Sequence, residues 1–309
     1  MPIDDNTNNS TDNDLLHKFI FDNTDIRGEI VTLNNSLDDM LASQTYPLSV
    51  KQLLGEFMAA VALLSSTLKF DGILTLQARG DGPLPLIMVE ASNKGANPTK
   101  QLRGIAKLET PSDTDDIDEL LSVSGLPNLI GKGVLSITID PTKGNRYQGV
   151  VPLEEPSLAD CLQHYFTQSE QLPTRLWLAS DGSTATGLLL QQLPQQETDS
   201  QTNKQAWSNR IQLANTITED ELLTLDHEQL LTRLFHEEGV RIFEPVAFSF
   251  GCSCSKERSS RALKHLGQAD ACALLEEQTV VIINCEFCGF EYRYDATDID
   301  GLFGPSITH

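Results

Sequence analysis

Four of the chain's six cysteines fall in two close pairs, Cys252-Ser253-Cys254 and Cys285-Glu286-Phe287-Cys288, separated by thirty residues. Two thiolate pairs on two turns match the tetrahedral sulfur shell that Zn2+ favours, with bonds of about 2.3 Å. A shell closed by four sulfurs leaves no position for a catalytic water, so the expected role of one bound zinc is structural and no enzyme is predicted. Gly289 supplies the tight backbone of a knuckle between strands predicted over 279–283 and 290–294. Ser255 can cap a helix that runs to Leu266 and stops at Gly267, which places Cys254 at the positive end of a helix dipole. Lys256, Arg258, Arg261 and Lys264 share that helix. Dipole and cations both favour thiolate, the form that binds metal and the form that reacts once metal has left. Cysteines this close in sequence can oxidise to local disulfides, which would release the ion and with it a contribution on the order of 10 kcal/mol to folding the module. Cys161 and Cys272 lie outside the pairs on predicted helices and read as packing residues.

Composition narrows what such a site can serve. A formal net charge of −22 repels polyanions, so a nucleic-acid partner is not expected. The acidic run Ser112 to Glu119 lacks the sixth-position glycine and twelfth-position glutamate of a calcium loop and reads as a solvated loop. His236-Glu237-Glu238 lacks the second histidine of a zinc protease, since Val240 stands four positions on. The polar N-terminus has no secretory pattern, and the longest apolar run, Phe57 to Leu64, is far shorter than the roughly 20 residues a membrane span needs. A cytoplasmic protein without a membrane partner is expected. In that reducing compartment, paired cysteines hold metal or do redox chemistry rather than form permanent disulfides.

The elements that must carry this site divide into four stretches. Residues 1–14 read as a disordered leader and 15–195 as an α/β (α+β) core domain of strands and packed helices. Residues 196–245 read as a metastable helical linker and 246–309 as a zinc-binding redox-switch domain. Within the core, 26–33, 73–78, 86–91, 133–139 and 147–153 have strand character, while Val50, Leu53, Leu54, Phe57, Met58, Val61, Leu64 and Leu68 recur at helical spacing. Ser157 caps a helix with Leu158, Cys161, Leu162 and Tyr165 on one face, and Asp181-Gly182 turns a hairpin between 175–180 and 185–192. In the linker, Thr218 with Glu221 and Asp226 with Gln229 form capping pairs. The apolar face Leu230, Leu231, Leu234 and Phe235 is short and lies beside acidic residues, so this helix is marginal unless it docks. Gly239 is expected to end it.

The cysteine spacing resembles that of the thirty-three-kilodalton heat-shock protein family, as do Ile26-Arg27-Gly28-Glu29, Gly80-Asp81-Gly82-Pro83-Leu84, Gly187-Leu188-Leu189-Leu190-Gln191 and Arg233-Leu234-Phe235-His236-Glu237-Glu238. The likeness runs along nearly the whole chain. It implies an ATP-independent, redox-regulated holdase in which Cys252, Cys254, Cys285 and Cys288 ligate zinc in a reduced, inactive monomer. It further implies that oxidation within each close pair releases zinc, unfolds the linker, and yields a homodimer that holds unfolded clients. Two other functions fit parts of the sequence: a thiol-disulfide oxidoreductase using Cys285 and Cys288, and a zinc-ribbon adaptor for nucleic acid or protein. The first lacks the strand-then-helix setting of that motif, and the net charge opposes the nucleic-acid form of the second.

Overall fold

In a computed structural model of the chain, the residues described are 12–67, 71–93, 98–108, 125–194 and 200–303. They form two compact units: the first runs to Phe250 apart from Ala42–Gln44, and the second comprises the chain from Gly251 together with Ala42–Gln44. Most of the leader, the acidic run at 112–119 and the start of the linker lie outside the described residues.

The first unit opens with β1 (Leu15–Phe21), β2 (Ile26–Leu33), α1 (Asn35–Leu41) and α2 (Leu48–Thr67). There follow β3 (Gly72–Gly80), β4 (Leu86–Ser92), β5 (Lys100–Lys107), α3 (Leu126–Ile130), β6 (Gly133–Pro141) and β7 (Tyr147–Pro152). Next come α4 (Leu158–Tyr165), whose cap is Ser157 as read from sequence, and the hairpin β8 (Thr174–Ser180) and β9 (Ala185–Gln192). The linker region supplies α5 (Ser200–Ala214), α6 (Glu219–Thr224) and α7 (His227–Phe235), and then β10 (Val240–Ile242) and β11 (Val246–Phe250). Both predicted capping boxes, on Thr218 and Asp226, are formed.

One sheet runs β7-β6-β3-β4-β5-β11-β1-β2-β9-β8, with β10 beside β1. Strand β11 is the seam: Phe248, Ser249 and Phe250 pair in parallel with β5, while Val246 and Ala247 pair antiparallel with β1. This corrects the boundary read at 246, because Val246–Phe250 belongs to the core sheet through these ladder bonds. Asp12 and Asp14 are likewise buried rather than part of a loose leader. The Asp14 carboxylate accepts hydrogen bonds from the Asn34 and Ser36 amides at 3.2 and 3.0 Å.

Side chains alternate faces along each strand, and both faces of the β1-β2-β9-β8 half are covered. Leu16, Val31, Leu33, Leu176 and Leu189 join the α2 core. Phe19, Phe21, Ile26, Ile30, Ala179, Leu188 and Leu190 point the other way, into a second core closed by Ala214, Leu222, Leu230, Leu231, Leu234 and Phe235 of the linker helices. Gly28 belongs to this second face for steric reasons: a Cβ there would lie 2.1 Å from the Phe19 ring. Among the described residues α2 is the one helix long and apolar enough to cross a bilayer, and most of it is buried.

Candidate metal centre

The second unit is small. It comprises α8 (Lys256–Leu266), α9 (Gln268–Gln278), the hairpin β12 (Val281–Asn284) with β13 (Glu291–Tyr294), and α10 (Ala296–Phe303). Its buried apolar core is Leu263, Ala271, Val281, Tyr294 and Ile299, with Cys272 packed at the edge as expected. A cluster of this size removes too little apolar area from water to offset the entropy of ordering the segment unaided. Some further cross-link is required.

The cysteines provide it. Cys252 and Cys254 lie on the extended stretch before α8, and Ser255 caps that helix by accepting from the Arg258 amide. The Arg258 guanidinium returns to the Ser253 carbonyl at 2.9 Å and its hydroxyl at 2.6 Å, fixing the residue between the two thiols. The second pair sits in the β12-β13 turn. Here the Gly289 amide donates to the Cys285 carbonyl at 2.8 Å, and the Cys285 amide donates to the Phe290 carbonyl at 2.9 Å. Gly289 has φ 68°, the left-handed conformation expected of a glycine in that turn. Tyr294 ties hairpin to helix by donating to the Lys256 carbonyl at 2.7 Å, and Lys256 bonds Asp298 of α10 at 2.7 and 2.8 Å.

All four sulfurs lie within 4.8 Å of one another. Cys252 Sγ is 3.6 Å from Cys285 Sγ, and Cys254 Sγ is 3.5 Å from Cys288 Sγ. Four sulfurs around one ion at 2.3 Å would stand about 3.8 Å apart, so the observed spacing is near that of a tetrahedral shell and far beyond a disulfide bond. The four cysteines are free thiols grouped so that they can hold a metal ion.

Electrostatics point the same way. Burial pushes the Cys288 thiol up to about 12, with the neighbouring sulfurs adding to the rise, and burial also raises Cys252. Cys254 is the exception. Burial opposes its ionisation, but hydrogen bonds from Tyr292 and the other thiols outweigh that and bring it down to about 7. Cys254 thus ionises more readily than Cys252 or Cys288, and a divalent ion would favour the thiolate form of its ligands. Sequence reasoning placed the easily ionised thiol at Cys254 but assigned it to the α8 dipole and cations. Tyr292, one strand away, was missed, although its place four residues after Cys288 could have marked it.

The fold and site define a class of two-part proteins, a broad mixed α/β sheet domain followed by a small unit whose four clustered thiols can hold a metal ion. The chain belongs to the Hsp33 protein family, whose model matches residues 14–295. It is 50% identical over 295 residues to the 33 kDa chaperonin of Azotobacter vinelandii, covering 95% of each chain. It is 49% identical over 303 residues to the 33 kDa chaperonin of Pseudomonas aeruginosa strain UCBPP-PA14, covering 96% of this chain and 98% of that one. The crystal structure of the 33 kDa chaperonin from Thermotoga maritima shares the fold, with a TM-score of 0.75 at 19% identity over 94% of this chain and 97% of that one.

Proposed function

We propose that this protein is a redox-regulated, ATP-independent holdase of the bacterial cytoplasm that protects unfolding proteins from aggregation. The observation that carries the reading is the four-thiol cluster on a unit whose apolar core is too small to stand alone. In the reduced state Cys252, Cys254, Cys285 and Cys288 hold one Zn2+, which supplies most of that unit's folding free energy, on the order of 10 kcal/mol.

Peroxide is the natural trigger. One thiolate of a pair attacks the peroxide oxygen to give a sulfenic acid and hydroxide. The second thiolate then attacks that sulfur, an S–S bond forms, and a second hydroxide leaves. Each pair loses two electrons to one peroxide, and with both pairs spent the metal has lost its four anionic ligands. The shortest sulfur contacts run across the pairs, so pairing within Cys252/Cys254 and Cys285/Cys288 rests on the family likeness and on chain separation. Once the ion has gone, sulfurs two or three residues apart stay close while the two turns part.

The domain division follows from the same logic: 15–250 is the core with its docked linker, and 251–309 is the switch. Lifting α5, α6 and α7 would uncover Phe19, Phe21, Ile26, Ile30, Leu188 and Leu190, an apolar face suited to unfolded clients and to dimerisation of the oxidised form. The reduced form is a monomer in this reading.

The test is aggregation of a thermally unfolded client, followed by light scattering without ATP. Reduced, zinc-loaded protein is expected to leave aggregation unchanged. Protein treated with peroxide at elevated temperature should suppress it, with one zinc and four thiols lost first. Equal suppression by both forms would refute the switch, and disulfides mapped across the pairs would refute the pairing.

A further inference from the structure

A second group of side chains able to hold a metal ion lies in the first unit, apart from the cysteines. Its members come from three places: Asp12 in the turn before β1, His17 in β1, and His227, the first residue of α7. His17 Nδ1 and His227 Nδ1 are 2.8 Å apart, with the rings edge to face. The Asp12 carboxylate straddles them, Oδ1 3.9 Å from His17 Nδ1 and Oδ2 3.9 Å from His227 Nδ1. One donor atom from each residue falls within 4.8 Å of the others.

The supporting contacts are those of a metal site. His227 Nε2 lies 2.9 Å from the Thr32 hydroxyl, so its outer nitrogen is bonded and its Nδ1 faces inward. A metal-bound histidine is held by its second nitrogen in this way. The Asp12 carboxylate accepts the His227 amide at 2.8 Å, which holds it at the site. His227 is 3% exposed, so the site is shielded from bulk water on its side.

Without an ion, one imidazole donates its Nδ1 hydrogen to the other. With one at 2.0–2.1 Å from each nitrogen, a tetrahedral angle sets the two nitrogens about 3.3 Å apart, an opening of roughly half an ångström. The α7 dipole opposes a cation at the helix start, by about half a charge, and the full charge of Asp12 outweighs it.

We infer that Asp12, His17 and His227 form a second metal site, for a divalent ion of the imidazole-loving class such as Zn2+, which pins the start of α7 to the core. Water completes the shell. The ion binds only when the linker is docked, so it stabilises docking by mass action. That the docked linker is the inactive state rests on the function proposed above; the metal site itself does not.

The test uses the full-length reduced protein with one zinc already in the cysteine site, titrated with further Zn2+ by calorimetry at pH 7.5. One additional equivalent is expected, weakened at least tenfold in His17→Ala and in His227→Gln. Both variants should keep the first zinc and the wild-type far-ultraviolet spectrum; if either misfolds, Asp12→Asn serves as the second variant. Zn2+ should also slow proteolysis within 200–245 in the wild type and not in the variants. The inference is overturned by the absence of a second equivalent, by one that survives these substitutions, or by one that leaves proteolysis unchanged. These readings need no client and no oxidation, so a failed holdase assay would not alter them.

Discussion

The two coverings of the β1-β2-β9-β8 half-sheet differ in how firmly they are held. On one face lies α2, twenty residues of which fifteen are buried, including Gly55, where a Cβ would lie 2.2 Å from the Ser180 hydroxyl. On the other lie three shorter helices whose fully buried apolar residues are Ala214, Leu222, Leu230, Leu231, Leu234 and Phe235. They are held at their rims by polar contacts: Arg233 to Glu221 at 2.6 Å, Arg233 to the Thr216 hydroxyl at 2.7 Å, and Arg210 to Glu238. A buried helix threaded through one core leaves only when the domain unfolds. A covering made of shorter segments, two of them capped, is expected to leave alone.

That contrast can be broken by experiment. The largest effect is expected for Phe57→Ala in α2, which should cost about 4 kcal/mol and lower the single cooperative transition of the first unit in urea. Phe235→Ala, on the linker side, should cost about 3 kcal/mol. That loss should appear as faster amide exchange in 200–235 and as binding of an apolar dye to the reduced protein, while α2 and the sheet keep their protection. If Phe235→Ala instead lowers the whole transition as Phe57→Ala does, the two coverings are one cooperative unit.

A third effect separates the faces by pH. Burial raises Glu29, which lies near Lys18, Arg27 and Lys100, to about 7 from 4.5. The folded protein therefore binds the extra proton between those values. Its contribution to stability is present below pH 4.5 and is lost as the pH rises to 7, by no more than about 3 kcal/mol. Glu29→Gln should flatten that slope, measured as urea midpoints from pH 4.5 to 8; an unchanged slope would assign it elsewhere. The smallest effect belongs to the Thr218 cap: Thr218→Ala should weaken linker docking by about 1 kcal/mol, seen in amide exchange of α6 alone.

Much of this was legible beforehand where local chemistry decides structure. Strand β2 and the caps at Ser157, Thr218, Asp226 and Ser255 fall where single residues place them, because turns and helix ends are set by neighbours in sequence. The cysteine cluster was legible for the same reason, through spacing. Strand β5, Lys-Gln-Leu-Arg-Gly-Ile-Ala-Lys, was not read, since its alternation is broken by charge and only pairing with β4 and β11 makes it a strand. Helix α5 lies in the stretch read as a helical linker but was not itself read, although Trp207, Ile211 and Ala214 recur at helical spacing and pack on the sheet. His17 and His227 are 210 positions apart, and no local pattern could bring them together.

Strand β11 has one more consequence. Its five residues are shared, three with β5 and two with β1, so they cover the outer side of β5 and, together with β10 on Phe19–Phe21, that of β1. A core fragment cut before Val246 would leave β5, and the start of β1 that β10 does not reach, with open amides and carbonyls able to recruit a second chain. A fragment meant to stay monomeric has to end after Phe250, at the last residue before the metal module begins.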